Sequence, residues 1–122
     1  MANHKSSYFQ SRLLCEHLFG ALEKRLGPLK YEQGNEKCLI RGNGNVFALV
    51  NRHIKNYGGI EVWFLGSADD AISVAGLTIH KRTNIDSAGR HYGGRFTIRS
   101  EKQIKEAVEL LSTISYPKSL KE

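Results

Sequence analysis

The alternation of apolar and polar positions divides the chain into a helical pattern at each end and short strand-like runs between them. Phe9, Leu13, Leu14, Leu18, Ala21, Leu22 and Leu26 recur at the spacing of one helix face, with Arg12, Glu16, Glu23 and Lys24 turned away. Ser6 and Ser7 stand where an N-cap belongs, and Gly27-Pro28 is a stop, because proline cannot continue the ladder. His17 lies near the apolar side of this helix and reads as a flank or core histidine.

Strand signals follow. Leu29 to Gln33 reads as a short strand, Gly34-Asn35 as a turn, and Lys37 to Arg41 as the next strand. Gly42-Asn43-Gly44-Asn45 is another turn. It lacks the third glycine and the following helix of a dinucleotide loop. Val46 to Val50 and Ile60 to Leu65 form a central hairpin joined by a polar turn carrying Asn56-Tyr57-Gly58-Gly59. Asp69-Asp70 begin a loop or short helix, and Val74 to His80 read as a strand through Leu77 and Ile79. Lys81 to Gly94 is a mobile loop or a wide hairpin. Arg95 to Arg99 alternates cleanly, Phe96 and Ile98 inward and Arg95, Thr97 and Arg99 outward.

Ser100-Glu101-Lys102-Gln103 is a capping box opening a helix with Ile104, Ala107, Val108, Leu111 and Ile114 on one face, which Tyr116-Pro117 ends. The order helix, strands, helix predicts an α+β domain. It is an antiparallel sheet of four to six strands with its N-terminal and C-terminal helices packed on one face. One domain over 1–122 is expected, with 1–6 and 117–122 as loose termini.

Several stretches resemble a family of small bacterial domains of unknown function. They are Leu22 to Leu29, Glu36-Lys37, the Phe47-Ala48 strand, Gly59-Ile60-Glu61-Val62, and Gly94-Arg95-Phe96-Thr97-Ile98 followed by Ser100 to Ile104. Members often carry the label "predicted transport protein", and some are appended to restriction-nuclease-like domains. They are similar in shape to the YjbR-type double-wing proteins, for which DNA binding has been suggested. The resemblance implies a fold and brings no catalytic residue. The stretch from Ala68 to His91 departs most from it, being longer and richer in Lys and Arg.

Composition, 40% apolar and 25% charged, is that of an ordinary globular domain and excludes disorder or fibre. No signal-peptide stretch or membrane-length run is present, which predicts a soluble, cytoplasmic protein with no membrane partner. Cys15 and Cys38, outside any Cys-x-x-Cys motif, read as buried free thiols in a reducing cytosol, with a disulfide between them as the alternative.

The five histidines are scattered, which predicts no metal site and no cofactor. There is no Gly-x-Ser-x-Gly elbow, no Walker loop, and no nuclease spacing of acids and lysine. Arg90-His91-Tyr92-Gly93-Gly94 is only loosely like an acyl-CoA phosphate loop, since Arg95 stands where a further glycine belongs. These absences weigh against an enzyme.

Net charge is +6, and what matters is its clustering. Between His80 and Arg99 stand Lys81, Arg82, Arg90, Arg95 and Arg99 against one acid, Asp86, with His91 and Tyr92 among them. The expectation is one basic surface gripping nucleic-acid phosphates, with Tyr92 stacking on a base or sugar. Arg52, His53 and Lys55 in the hairpin turn would extend it. Trp63 beside Glu61 marks a pocket or an interface. The alternatives are a protein-interaction or homodimerisation module, using open strand edges and Trp63 as anchor, and a small-molecule-binding domain.

Overall fold

The structure, a computed structural model, describes residues 4–52, 59–72, 76–85 and 89–120. An N-terminal helix α1 (His4–Leu26) leads into β1 (Lys30–Gln33), β2 (Lys37–Gly42), β3 (Asn45–Asn51) and β4 (Ile60–Leu65). A short helix α2 (Ala68–Ile72) precedes β5 (His80–Ile85) and β6 (His91–Ile98). The chain closes with a 3-10 turn (Glu101–Gln103), α3 (Ile104–Leu110), a π-helical stretch (Leu111–Ser115) and α4 (Tyr116–Ser119). Six antiparallel strands form one sheet in the order β1-β2-β3-β4-β6-β5, with the terminal helices on one face. The fold is α+β, and β3–β4 is its central pair. The turn residues Asn56-Tyr57-Gly58, with His53 and Lys55, lie outside the described residues.

The core lies between the sheet and the helices. Leu14, Leu18 and Leu22, one turn apart on α1, meet Ile104, Ala107 and Leu111 from the C-terminal helix. Below them lie Ile40, Val50, Val62, Phe64, Phe96 and Ile98, alternate residues of four adjacent strands. Phe64 and Phe96 contribute a tilted aromatic pair at 5.9 Å. The β2–β3 turn has positive φ at both central residues, Asn43 (53°) and Gly44 (86°), the type I′ geometry that matches strand twist. Asn43 also bonds the Tyr116 hydroxyl at 2.8 Å, pinning the hairpin tip to α4.

One buried hydroxyl joins the sheet to the helical layer. The registered β3–β4 pairs end at Ala48↔Phe64, so Phe47 and Leu65 would be the next pair. Phe47 is instead the extra residue of the β2–β3 bulge. Its carbonyl accepts from the Ser115 hydroxyl, while the Leu65 N–H donates to the same Oγ at 2.9 Å. Ser115 thus replaces a ladder bond that the bulge removes.

Several expectations shift. The first helix starts at His4, so Ser6 and Ser7 lie within it and do not cap it. His17 is exposed and hydrogen-bonded to Glu101. Of the strand expected from Val74 to His80, residues 74 and 75 lie outside the described residues, and β5 begins at His80. The described residues before it, 76–79, are irregular, and Leu77 is buried as loop packing. Lys81 to Gly94 is the wide hairpin β5–β6. The Ser100–Gln103 capping box is present, Gln103 Oε1 accepting from the Ser100 N–H at 3.2 Å. Tyr116-Pro117 does not end the helix. In a plain α-ladder the proline ring would press on the carbonyl four residues back, and the wider π-helical turn before it opens that spacing. Of the expected loose tail, residues 117–120 belong to the helical end of the fold and 121–122 lie outside the described residues. Ser119 is fully buried, and its carbonyl accepts from Asn45 Nδ2 at 3.1 Å. Among the described residues no helix is long and apolar enough to cross a membrane.

Both cysteines are buried and free. Burial pushes the Cys15 thiol up to about 12 and raises Cys38 as well, with the nearby Arg52 guanidinium partly opposing both shifts. Each stays a protonated, unreactive thiol at neutral pH.

Candidate binding face of the sheet

The sheet face turned away from the helices is the less finished of the two. Strand pairing places Leu39, Leu49, Trp63, Arg95 and His80 in one row across five strands. None of them is fully buried. A sheet covered on one side leaves such a row for water or for a ligand.

Trp63 is its centre. The indole N–H donates to Glu61 Oε1 at 2.6 Å, and Glu61 Oε2 forms an ion pair with Arg95 Nη1. Residues 61 and 63 share a face because strand side chains repeat every second position. Glu61 is 14% exposed and Arg95 23%, so the pair is shielded more than a surface salt bridge. The Arg82 and Arg95 guanidinium carbons each lie 6.0 Å from the Trp63 ring centroid, so two cations attend one indole. Arg95 Nε is buried with no hydrogen-bond partner among the described residues.

A bulge in β6 completes the cluster. Phe64 pairs with Gly94 but Leu65 pairs with Tyr92, so Gly93 is the extra residue. A Cβ on Gly93 would coincide with the Gly66 carbonyl oxygen, which is why the position has no side chain. The insertion turns Tyr92 away from the helix side and sets its ring edge-on to Trp63 at 6.4 Å. Tyr92 is 2% exposed, buried yet outside the main hydrophobic cluster. Its expected role, stacking on a base or sugar, is therefore corrected: Tyr92 braces Trp63, and Trp63 is the aromatic surface that remains partly open.

The other expected residues separate. Arg90 lines a cleft of about 300 Å³ with Lys37, Leu39 and Leu49, so the β5–β6 hairpin brings a cation to β2 and β3. Lys81 is exposed on the edge strand, and its carbonyl accepts from Arg82. His91 faces a different hollow of about 350 Å³, with Ser67 and Lys118. Arg99 lies just beyond β6, near the start of the C-terminal helix, where its carbonyl accepts from Gln10. His91 and Arg99 thus stand at opposite ends of one strand, roughly 27 Å apart at about 3.4 Å per residue. Arg82 and Arg95 come together at Trp63, Arg90 lies at the neighbouring Leu39–Leu49 cleft, and His91 and Arg99 join neither.

Asp69 and Asp70 are exposed in the first turn of α2, where the Asp69 N–H bonds Ser67 Oγ at 3.1 Å. Among the described residues no His, Cys, Asp or Glu cluster has the makings of a metal site. Lys37, Leu39 and Leu49 were missed as site residues. Lys-x-Leu alternation against Cys38 and Ile40 marks an outward face, but only strand order shows that it adjoins Trp63.

No family model, curated protein or solved structure matches the chain. The arrangement offers a partly open indole with two planar cations around it, and an aliphatic cleft edged by Lys37, Arg90 and Glu32. Such a surface has the chemistry to hold flat, anionic or phosphate-bearing groups.

Proposed function

We propose that this chain is a non-enzymatic binding module that holds a nucleic-acid strand on the open face of its sheet, single-stranded in preference to duplex. The observation carrying the reading is Trp63, half-exposed between the Arg82 and Arg95 guanidinium groups. A partly exposed indole offers a base a stacking partner whatever its sequence, and the adjoining cations take the phosphates. Leu39 and Leu49 continue the apolar track, while Lys37 and Arg90 border it. A duplex buries its base faces and could use only the charges. The expected likeness to small bacterial domains, themselves similar in shape to double-wing proteins for which DNA binding has been suggested, points the same way. Buried free thiols suit a reducing cytoplasm.

Binding of a labelled single-stranded oligonucleotide, followed while salt is raised, tests this. With about three phosphates contacted by Lys37, Arg82 and Arg90, log K should fall with log salt at a slope of about −2. Arg82→Ala should lower that slope by about 0.7 and weaken all sequences alike. A flat response, or equal binding by Arg82→Ala and Arg90→Ala, contradicts the reading.

A further inference from the structure

On the opposite side of the molecule, α1 and α3 run side by side in the same direction. Two side-chain contacts fix their register, a hydrogen bond of His17 Nδ1 with Glu101 and an ion pair of Arg25 Nη1 with Glu109 at 2.9 Å. The partners are 84 residues apart in both pairs, so one offset holds over two helical turns, roughly 12 Å. Between the pairs lies a groove of about 650 Å³, floored by Ala21, Ile104 and Val108 and reaching Gly20.

Gly20 is the anomaly. It is exposed in the interior of a 23-residue helix, and a Cβ there would meet nothing within 4 Å. Glycine weakens a helix interior relative to alanine, and this protomer's own packing gives no reason for it. Close approach by a second backbone does give one.

The charges identify that backbone. Glu16 and Lys24 stand four residues either side of Gly20, on the same stripe of α1. A second α1 laid antiparallel across the first, with a two-fold axis at Gly20, sets Glu16 of each copy against Lys24 of the other. The walls carry three carboxylates, on Glu16, Glu101 and Glu109, against three fixed cations, on Lys24, Arg25 and Lys105. A neutral, self-complementary patch on a chain of net charge +6 suits a copy of itself better than a polyanion. We infer that the α1–α3 groove is a homodimer interface in which two copies cross at Gly20. It lies on the helix side, independent of the open sheet face.

Sedimentation velocity across a concentration series tests the inference. The wild-type chain should dimerise reversibly. Gly20→Leu, for which the protomer has room, should abolish the dimer while leaving thermal unfolding of the protomer no lower. Glu16→Lys should weaken association about tenfold through its two symmetry-related pairs, and the exchange Glu16→Lys with Lys24→Glu should restore it. Three results overturn the inference: a wild-type monomer at every concentration, a Gly20→Leu dimer as tight as wild type, or a double exchange no better than Glu16→Lys alone.

Discussion

The two faces of this sheet use polar groups in opposite ways. Toward the helices, polar groups are few and serve the fold, as where the Ser115 hydroxyl takes both backbone groups left over at the β3–β4 junction. Away from them, polar groups crowd around the partly open Trp63, where Glu61 takes both the indole N–H and the Arg95 guanidinium. Burial decides the difference. A buried polar group serves the fold, whereas the half-buried cations around the indole can still meet a partner. Substitutions should accordingly separate the faces, stability responding on one and binding on the other.

The largest effect belongs to the covered face. Ser115→Ala leaves the Phe47 carbonyl and the Leu65 N–H both buried without a partner. At about 1–3 kcal/mol for each unsatisfied group, roughly 2–6 kcal/mol should be lost in urea unfolding. Nucleic-acid affinity of the folded fraction should be unchanged. A loss under 0.5 kcal/mol would show that the hydroxyl does not join the layers.

On the open face, Glu61→Gln keeps an acceptor for the Trp63 N–H and removes the countercharge of Arg95. A moderate stability loss of about 1–2 kcal/mol is expected, below that of a fully buried pair. Oligonucleotide affinity at low salt should rise a few-fold, because a negative charge leaves a phosphate-binding surface. Weaker binding by this variant would mean that Glu61 contacts the ligand directly.

A smaller effect returns to the covered side. The Cys15 thiol ordinarily titrates at 9.0 and is pushed up to about 12 by burial. Above pH 9 the unfolded chain gives up this proton and the folded one keeps it, so the unfolded state binds fewer protons. Stability is therefore complete below pH 9 and falls as pH rises toward 12, by at most about 1.4 kcal/mol per pH unit from this group. Cys15→Ala should flatten that part of the profile in chemical denaturation between pH 8.5 and 10.5, a window set by the same linkage.

Much of the covered face was legible in the sequence, because core patterning is local. The leucines of α1, the central β3–β4 pair and the Ser100–Gln103 capping box each announce themselves within a few residues. The open face was not. Edge strand β5 reads His-Lys-Arg-Thr-Asn-Ile, polar as exposed edges are, while the preceding Leu77 and Ile79 imitate strand alternation. Tyr92 lies two residues before Gly94, so simple alternation sends it to the core, and only the Gly93 bulge reverses it. Arg95 looked available among neighbouring cations. Its partner, Glu61, is distant in sequence and comes beside it through the pairing of β4 with β6. Pro117 stopped the helix on paper because a π-helical turn has no sequence signature of its own.

The measurement closest to the central claim uses the chain's single tryptophan, Trp63. Its fluorescence should be quenched, saturably, as a short single-stranded oligonucleotide is titrated in at low salt, because a base stacks on the indole between Arg82 and Arg95. Duplex of equal length should quench far less, and raised salt should reverse the change. Binding seen by anisotropy with no change in Trp63 emission would contradict the account, since the ligand would then sit somewhere other than on the open face.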